Sequence, residues 1–451
     1  MGFRSATKKV IPKQVFRGVE PYGHRAEAVL LNTLAGMPAK DIKVIGVTGT
    51  NGKTSTCFLI HRMLHEAGYK TGLMTTVAYG VGNDLQPQVA HMTSVSVPTL
   101  IKRIKNMKKQ GMQWLVLEVT SHALAQGRVW GVPFEVAVMT NLTHEHLDYH
   151  GTFEKYRAAK CALFELTNRN KKGLRVGVIN ADDDNAAYFA ADIKNPITYG
   201  LKDGDLKARS VRLKPTGSRY IVDVDGVEHH IHCRLPGSFN VYNSLAAVGV
   251  GHALGLTKEQ IEQGIEALEG VEGRMTVINE GQNFEVIIDY AHTPDSFEKL
   301  FKDLKPAVKG KLIVMFGSAG RRDEAKRTIQ GKIAGTYADE VIITEEDDRD
   351  MDGEHIMQDI ARGSEQAGKI RDKDLFLVHD RYKAIVFAMT RAKKGDTVML
   401  LGKGHEKDIL RNGPRAVELR HLPQDDRNPQ RVTEHPWDEI AITKKILQKR
   451  R

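Results

Sequence analysis

The stretch VIGVTGTNGKTSTCFLI, residues 44–60, contains a short apolar strand, a glycine-containing turn and the beginning of a helix. Such a turn holds phosphate because its backbone N–H groups converge and the dipole of the following helix favours an anion. Lys53 can then reach the outer phosphates of a nucleotide, and Thr54 can ligate magnesium. Val47 stands where the strict motif has its first glycine, so only the short form GTNGKT is present. We therefore predict a phosphate-binding loop rather than a simple helix cap.

The pattern on either side of this loop is that of a doubly wound α/β fold, in which buried parallel strands alternate with helices. The predicted strands of this first unit are 44–48, 114–119, 134–139 and 174–179. The alternating residues of 205–235, with a hairpin signal at Asp225-Gly226, predict an antiparallel extension at its edge. The predicted helices are 53–67, 97–110, 153–168, 240–255 and 257–269.

The α/β alternation restarts after Gly270 and Gly273, which suit a hinge, so we predict a second, Rossmann-like domain. Its predicted strands are 285–290, 311–316, 340–344, 374–378 and 396–401. Its predicted helices are 294–304, 324–338, 353–367 and 381–393. We expect three parts: an arm at 1–40, a central P-loop domain at 41–271 and a C-terminal domain at 272–451.

Composition and charge exclude several classes of protein. With 41% hydrophobic and 27% charged residues, the chain has the composition of a folded soluble protein, and no apolar run is long enough to span a membrane. The net charge of +10 favours anionic partners, but no nucleic-acid-binding motif is present. The three cysteines are scattered without metal-like spacing, which predicts a reduced, cytoplasmic protein.

Polar side chains follow three predicted strands of the first unit. Glu118 ends WLVLEV, the next strand runs into TNLTHEHLDYHG at 140–151, and Asn180 ends the last. Since ligands of doubly wound sheets bind beyond the carboxyl ends of the strands, these groups predict a magnesium site beside the nucleotide phosphates. The histidines at 144, 146 and 150 could also hold zinc, although cysteine ligands and an H-E-x-x-H helix are absent.

Three further loops belong to the second unit: DYAHTP at 289–294, FGSAGRRD at 316–323 and GKGHE at 402–406. Each glycine turn is a weak signal alone, because such turns are common in α/β proteins. Together they predict a second face that handles anions, opposite the phosphate loop.

The motifs GVTGTNGKTS, LEVTSHALAQGR, TNLTHEHLDYHG, GSFNVYNSLAA, GRM, DYAHTP, FGSAGRRD and GKGHE occur in this order. Their set and order resemble the Mur ligase family over about residues 40–440, and within it the muramyl-tripeptide synthetase branch. The resemblance implies an ATP-dependent ligase that converts the free carboxylate of a muramyl-dipeptide acceptor into an acyl phosphate. The amine of an incoming amino acid, diaminopimelate or lysine, then attacks it, in the synthesis of a peptidoglycan precursor.

The resemblance also assigns residues to ATP, to magnesium (two ions) and to the two other substrates. Lys53, Lys160 and His146 are implied to be catalytic. The implied nucleotide-binding residues are Gly49, Thr50, Asn51, Gly52, Lys53, Thr54, Ser55, Asn141, Asn240, Asn243, Arg274 and Asp289. The implied metal ligands are Thr54, Glu118, His146 and Lys160. The implied substrate-binding residues are Thr93, Ser94, Thr120, Gln126, Arg128, Arg349, Gly402, His405 and Glu406.

Lys160, in YRAAKCALF, matches the lysine that becomes carbamylated in this family. A carbamate would turn this cation into a carboxylate-like metal ligand. The alternative interpretation is a helical lysine that faces solvent.

Two departures from the family pattern bear on the substrates. The family's N-terminal uridine-nucleotide domain has no counterpart in residues 1–40, so the acceptor could lack UDP or a partner could supply that domain. The D-N-P-R motif that selects diaminopimelate appears as EDDR at 346–349. Arg349 keeps a guanidinium that could clamp a distal carboxylate, whereas Asp347 and Asp348 add negative charge that could favour a second ammonium group.

Two other functions stay open at this point. One is a related carboxylate–amine ligase that acts on folate or a polyamide, against which TSHALAQGR and GKGHE argue. The other is a nucleotide-binding scaffold without catalysis, against which Lys53, Glu118, His146 and Lys160 argue.

Overall fold

The computed structural model describes residues 13–88, 94–143, 145–214, 216–412 and 432–450. Its first sheet has nine strands. They are β1 (Lys43–Thr48), β2 (Thr71–Met74), β3 (Ala78–Val81), β4 (Asp84–Pro87), β5 (Trp114–Glu118), β6 (Phe134–Met139), β7 (Val176–Asn180), β8 (Asn195–Gly200) and β9 (Leu206–Lys207).

The strand order in this sheet is β4-β3-β2-β5-β1-β6-β7-β8-β9. At one edge, β3 pairs antiparallel with both β2 and β4, and the remaining pairs are parallel. Strand β1 lies between β5 and β6, because the chain first builds the sheet on one side and then on the other. The loop after β1 is therefore at the point where the strand order reverses, which is where ligands bind in such sheets.

Helices cover both faces of this sheet, as the continuous apolar strands require. They are α1 (Lys13–Leu34), α2 (Lys53–Glu66), α3 (Val97–Lys109), α4 (Ser121–Ala125), α5 (Leu147–His150), α6 (Phe153–Arg169), α7 (Ala186–Ala191), α8 (Ser238–Ala253) and α9 (Lys258–Glu266). Two apolar clusters form the core, one on each face of the sheet.

The antiparallel segment is a separate layer rather than an extension of the first sheet. Strands β10 (Arg209–Lys214), β11 (Gly217–Val224) and β12 (Val227–Cys233) form a three-stranded sheet of their own. The predicted hairpin turn at Asp225-Gly226 is confirmed, with φ angles of 51° and 81°. Tyr220 and Ile231 of this layer join the core under α8, so burial of one apolar face holds it against the domain.

The second sheet has six strands in the order β13-β14-β18-β15-β16-β17. They are β13 (Thr276–Val277), β14 (Glu285–Asp289), β15 (Leu312–Phe316), β16 (Glu340–Ile343), β17 (Leu375–Leu377) and β18 (Thr397–Leu401). The helices are α10 (Pro294–Leu304), α11 (Ala325–Tyr337), α12 (Gly353–Gln366) and α13 (Arg381–Arg391). Strand β13 is antiparallel to β14, and the others are parallel.

Strand β18 is inserted between β14 and β15, so this sheet too reverses its strand order at its centre. The loops after β14, β15, β16 and β18 leave the same edge of the sheet. The motifs DYAHTP, FGSAGRRD, EDDR and GKGHE lie on these loops, which explains how the fold gathers them.

The predicted set lacks β2, β3, β4, β8, β13 and the short helices α4, α5 and α7, and it also lacks the elements at both ends of the described residues. Helix α1 occupies much of the predicted arm and packs Ala28 and Leu31 against Ile101 and Trp130. Strands β19 (Asp408–Asn412) and β20 (Val432–Pro436) form an antiparallel pair, and α14 (Glu439–Lys449) follows. Within the described residues, none of the helices has the length and apolar character that crossing a membrane requires.

Candidate active site

Two glycines of the phosphate loop lie very close to neighbouring side chains. Gly52 has a φ angle of 83°, and a Cβ atom there would overlap the side-chain oxygen of Asn243. Gly49 has a φ angle of 149°, and a Cβ atom there would overlap Thr140. Both positions therefore require glycine for space as well as for conformation.

Asn141, at the end of β6, holds the loop in shape. Its side-chain oxygen accepts from the Asn51 backbone N–H at 2.9 Å, and its amide donates to the Asn51 carbonyl at 3.0 Å. The Thr50 hydroxyl is 3.0 Å from the Tyr156 hydroxyl. Both side-chain groups of Asn141 are thus engaged with the loop.

Asn240 and Asn243 lie on the first turns of α8, behind the loop. The Asn243 amide donates to the Asn240 oxygen at 2.8 Å, and its own oxygen accepts from the Thr56 hydroxyl at 3.2 Å. Both asparagines are buried, as is Ser55 on the first turn of α2. These three buried side chains stabilise the phosphate loop from the interior of the protein.

Thr54 and Glu118 come together where β1 and β5 end. The Thr54 hydroxyl donates to Glu118 Oε2 at 3.0 Å, and Glu118 also accepts from the backbone and hydroxyl of Thr76, each at 3.1 Å. Lys53 lies beside them and donates to the Thr50 carbonyl at 2.7 Å. A hydroxyl and a carboxylate at the base of a phosphate loop are oxygen ligands of the kind that magnesium prefers.

Lys160 is buried in the same place, with 2% of its surface exposed, so the interpretation as a solvent-facing lysine is wrong. Its ammonium nitrogen lies 2.5 Å from the Gly49 carbonyl and 4.8 Å from the centre of the Tyr156 ring. Burial and the nearby Lys53 charge hold the pKa of Lys160 well below its usual range. A neutral amine at this position is a nucleophile.

His146 has a φ angle of 56°, which is uncommon for a residue other than glycine. Its ring lies 4.8 Å from that of His122 and its Nε2 atom 3.7 Å from Glu145. Burial would raise the pKa of Glu145, but a hydrogen bond from His292 and the charge of His146 hold it well below its usual range. His144 lies outside the described residues, so the three-histidine zinc alternative stays a prediction.

Four predicted acceptor-binding residues lie close together around α4. Ser94 and Thr120 are joined through their hydroxyls at 3.0 Å, and Arg128 donates to the Ser94 carbonyl. The Gln126 amide donates to the Tyr149 hydroxyl at 3.1 Å. Thr93 lies outside the described residues.

The second sheet contributes Arg274 and Asp289 near the phosphate loop. Arg274 donates to the Thr54 hydroxyl at 3.3 Å, which brings it within reach of the predicted nucleotide site. Asp289 instead accepts from the backbone N–H groups of Met275 and Ala291, each at 2.7 Å. Burial raises the pKa of Asp289 and the Arg274 charge opposes that rise. Asp289 thus fixes the loop that carries Arg274.

The GKGHE loop lies next to Arg274. Gly402 has a φ angle of 100°, and a Cβ atom there would come within 2.7 Å of a Glu346 oxygen. His405 is buried, with its ring 4.8 Å from that of Tyr290, and burial and Arg274 lower the pKa of His405 well below its usual value. Glu406 accepts from the Tyr290 hydroxyl at 3.1 Å.

Two of the three acidic residues of EDDR, Asp347 and Asp348, have cationic partners within the protein. Asp347 accepts from Lys403 and from the Leu410 backbone N–H, each at 2.9 Å. Asp348 accepts from His379 at 2.7 Å, and this hydrogen bond raises the pKa of His379. Arg349 donates one of its guanidinium nitrogens to the Gly320 carbonyl at 2.9 Å. Asp347 and Asp348 thus each have a cationic partner, and Lys403 is shared between Asp347 and Glu406.

Several residues of this site have no distinguishing sequence signal. Tyr290 and Lys403 lie within predicted motifs, but spacing does not indicate which member of a motif contacts which group. Thr76 and Asp295 lie outside the patterns and reach the site through the β2–β3 turn and the start of α10.

Comparisons with known proteins identify the family to which this chain belongs. The protein-family model described as the Mur ligase middle domain matches residues 47–251. The one described as the Mur ligase, glutamate ligase domain matches residues 273–404. The chain is 38% identical over 439 residues to the UDP-N-acetylmuramyl-tripeptide synthetase of Roseiflexus sp. (strain RS-1), which covers 95% of this chain and 82% of that protein. It is 41% identical over 389 residues to the UDP-N-acetylmuramoyl-L-alanyl-D-glutamate–2,6-diaminopimelate ligase of Bacillus velezensis, covering 85% of this chain and 77% of that protein.

One solved structure, of a UDP-N-acetylmuramoyl-L-alanyl-D-glutamate–2,6-diaminopimelate ligase, matches with a TM-score of 0.61 and 29% identity. The match covers 96% of this chain and 83% of that chain. The predicted resemblance is thereby confirmed: this chain belongs to the Mur ligase family, whose members are ATP-dependent amide-forming ligases.

Proposed function

We propose that this chain adds an amino acid to the free carboxylate of a muramyl-dipeptide acceptor, in the synthesis of a peptidoglycan precursor. A carboxylate oxygen attacks the γ-phosphorus of ATP and ADP leaves, which gives an acyl phosphate. The amine nitrogen of the amino acid then attacks the acyl carbon and loses a proton, and phosphate leaves as the amide forms. Transfer of this kind depends chiefly on positioning and charge neutralisation.

This proposal rests on one observation: a contact between the edges of the first and second sheets. Arg274, from the second sheet, donates to Thr54 in the first turn after the phosphate loop, at 3.3 Å. Ser94 and Arg128, two of the predicted acceptor residues, line one cavity with Glu118, the partner of Thr54, and the GKGHE loop lies next to Arg274. Three substrates that must react in one place thus have their predicted binding residues around a single contact.

The residues at this contact fit magnesium. Thr54, Glu118 and Lys160 lie around the base of the phosphate loop, and His146 lies between β6 and α5, directly before Leu147. These are the side chains that we propose to hold the metal, with Lys160 in the form described next. Magnesium there would supply positive charge to the phosphate oxygens.

We propose that Lys160 is carbamylated. Its neutral nitrogen would attack CO₂, forming a C–N bond and releasing a proton, and the product would carry a carboxylate-like negative charge. The burial of Lys160 and its lowered pKa support this step, because a charged lysine would be costly beside Lys53. Growth in ¹³C-labelled bicarbonate and carbon NMR of the purified protein test it. A Lys160→Met protein that keeps the carbamate signal would contradict the assignment.

For the incoming amino acid we propose diaminopimelate rather than lysine. Arg349 offers a guanidinium, while Asp347 and Asp348 are engaged by Lys403 and His379. A distal carboxylate therefore has a cationic partner available, whereas Asp347 and Asp348 already pair with cationic side chains of the protein. The Bacillus velezensis relative, whose name specifies 2,6-diaminopimelate, supports the same choice.

The experiment that tests the function is an assay of ADP release. Purified protein is given a muramyl-dipeptide acceptor with or without UDP, or a folate acceptor, together with diaminopimelate, lysine or glutamate. We expect release with a muramyl acceptor and diaminopimelate. Absence of stimulation by any acceptor–amine pair would support the non-catalytic scaffold, and release only with glutamate and a folate acceptor would support the alternative ligase.

A further inference from the structure

A continuous series of side chains joins the predicted nucleotide site to the GKGHE loop. It begins at Thr54, whose hydroxyl accepts from Arg274 at 3.3 Å. The Arg274 guanidinium lies over the ring of Tyr290, at 4.5 Å from the ring centre. The Tyr290 hydroxyl donates to Glu406 Oε1 at 3.1 Å. One tyrosine therefore contacts both the arginine that reaches the phosphate loop and the glutamate predicted to bind the incoming amino acid.

The Glu406 carboxylate is held from its other side as well. Lys403 lies 2.6 Å from Glu406 Oε2 and 2.9 Å from Asp347, and its side chain is fully buried. Each oxygen of Glu406 thus has one donor, the tyrosine on one side and the lysine on the other. A carboxylate fixed at both oxygens presents its remaining lone pairs in one direction.

Tyr290 is suited to be a permanent donor. Burial and the adjacent Glu406 carboxylate raise the pKa of Tyr290 well above its usual value, so the hydroxyl keeps its proton. The ring is packed between His292 and His405, with centre-to-centre distances of 4.7 Å and 4.8 Å. These rings are tilted by 59° and 57° to that of Tyr290, so ring contacts with both neighbours hold its position without the hydroxyl.

We propose that Tyr290 is a positioning residue that orients Glu406 toward the incoming amine and links this orientation to Arg274 at the nucleotide site. This inference rests on the proposed function, because it takes Glu406 as a residue that binds the amino acid. It adds to that function the physical connection between two of the three substrate subsites.

The test is the Tyr290→Phe variant, which removes the hydroxyl and keeps the ring over which Arg274 lies. We expect the KM for the amino acid to rise about tenfold, as for the loss of one hydrogen bond to a charged group. The KM for ATP should change less than about twofold, because the Arg274 contact is kept. The matched control is Tyr337→Phe, which removes a tyrosine hydroxyl 2.5 Å from Glu298 on the surface of the same domain.

A double-mutant cycle with Glu406→Ala, which removes the acceptor of the Tyr290 hydroxyl, separates positioning from a general loss of structure. If Tyr290 acts through Glu406, the tenfold effect should largely disappear in the Glu406→Ala background. An equal effect in both backgrounds, or an equal rise in the KM for ATP, would overturn the proposal. Formation of the acyl phosphate without amino acid, followed by isotope exchange in ATP, should be unchanged in Tyr290→Phe.

The proposed function and this inference fail in different ways. Wild-type protein that shows no release of ADP with any amino acid would contradict the function. Wild-type activity that Tyr290→Phe leaves unaltered would contradict only the positioning role. Circular dichroism and thermal unfolding of each variant establish that it is folded before its kinetics are compared.

Discussion

At the scale of single residues, Lys160 shows how position changes the chemistry of a side chain. In the sequence it is one of 66 lysines and arginines, in a helix whose exposed face also carries lysine. In the structure it is buried at the phosphate loop, where a positive charge is unfavourable. Its predicted role as a metal ligand stays a prediction, but its burial removes the main alternative.

We predict that Lys160→Met lowers the turnover number by about a hundredfold, since a charge-bearing group at the phosphate site is lost. Steady-state ADP release measures the effect. Lys155→Met, an exposed lysine on the same helix, is the matched control and should keep its activity. Undiminished turnover of Lys160→Met would remove this residue from the mechanism.

A second prediction at the residue scale concerns Gly52, because the phosphate loop needs both its φ angle and its lack of a side chain. Gly52→Ala should weaken nucleotide binding about tenfold or more, since strain of about 1–3 kcal/mol would be imposed on the loop. Calorimetric titration with a non-hydrolysable ATP analogue measures this affinity.

Gly68→Ala is the control for backbone strain alone. Gly68 also has a positive φ angle, 92°, but a Cβ atom there would meet open space. We expect this variant to lose some stability and to bind the analogue normally. Equal losses of affinity in the two variants would show that strain anywhere near α2, rather than contact with Asn243, disturbs the loop.

At the scale of elements, the C-terminal helix α14 is attached to the second sheet by a buried ion pair. Arg381 lies 2.6 Å and 2.9 Å from the two oxygens of Glu439, and it also donates to the carbonyls of Leu401 and Glu345. Both side chains are fully buried. The guanidinium thus joins α14 to the loops after β18 and β16, which carry GKGHE and EDDR.

We predict that Glu439→Ala destabilises the protein by about 3–5 kcal/mol, because it leaves a buried guanidinium without its counter-charge. Urea unfolding measures the change in the free energy of unfolding. Glu165→Ala, which breaks an exposed pair with Arg169 on α6, should cost less than about 1 kcal/mol. A cost for Glu439→Ala as small as that of the control would mean that water reaches Arg381.

At the scale of the whole molecule, contacts between the two sheets complete the site. Asn51 of the phosphate loop donates to Asp295, at the start of α10, at 2.9 Å. Glu145 and His292 are 3.5 Å apart, and Arg274 reaches Thr54. The phosphate loop therefore has partners from both domains, and its geometry depends on how the domains are placed.

We predict that Asp295→Ala lowers kcat/KM for ATP about fivefold, the effect of losing one hydrogen bond across the domain interface. Initial rates at varied ATP concentration measure it. Lys299→Ala is the matched control, because Lys299 pairs with Asp295 within α10, at 3.0 Å, and does not contact Asn51. If both variants lose the same activity, the helix-internal pair, not the interface, is responsible.

The sequence by itself determined the α/β class, most strands and helices, and the phosphate loop. These features follow from local rules: apolar runs become buried strands, and a glycine turn before a helix N-terminus binds phosphate. The predicted helix 294–304 agrees with α10, and strand 134–139 agrees with β6. The domain boundary at 271/272 stays a prediction.

Only the tertiary structure decided which side chains meet. The separate sheet β10–β12, the burial of Lys160, the pairing of Asp347 with Lys403 and the contact of Tyr290 with Glu406 all join residues from different elements. Sequence spacing contains no measure of such distances, because they depend on strand order and on the relative placement of two domains. Strand order brings residues far apart in the chain, Thr54 and Arg274 among them, to one point.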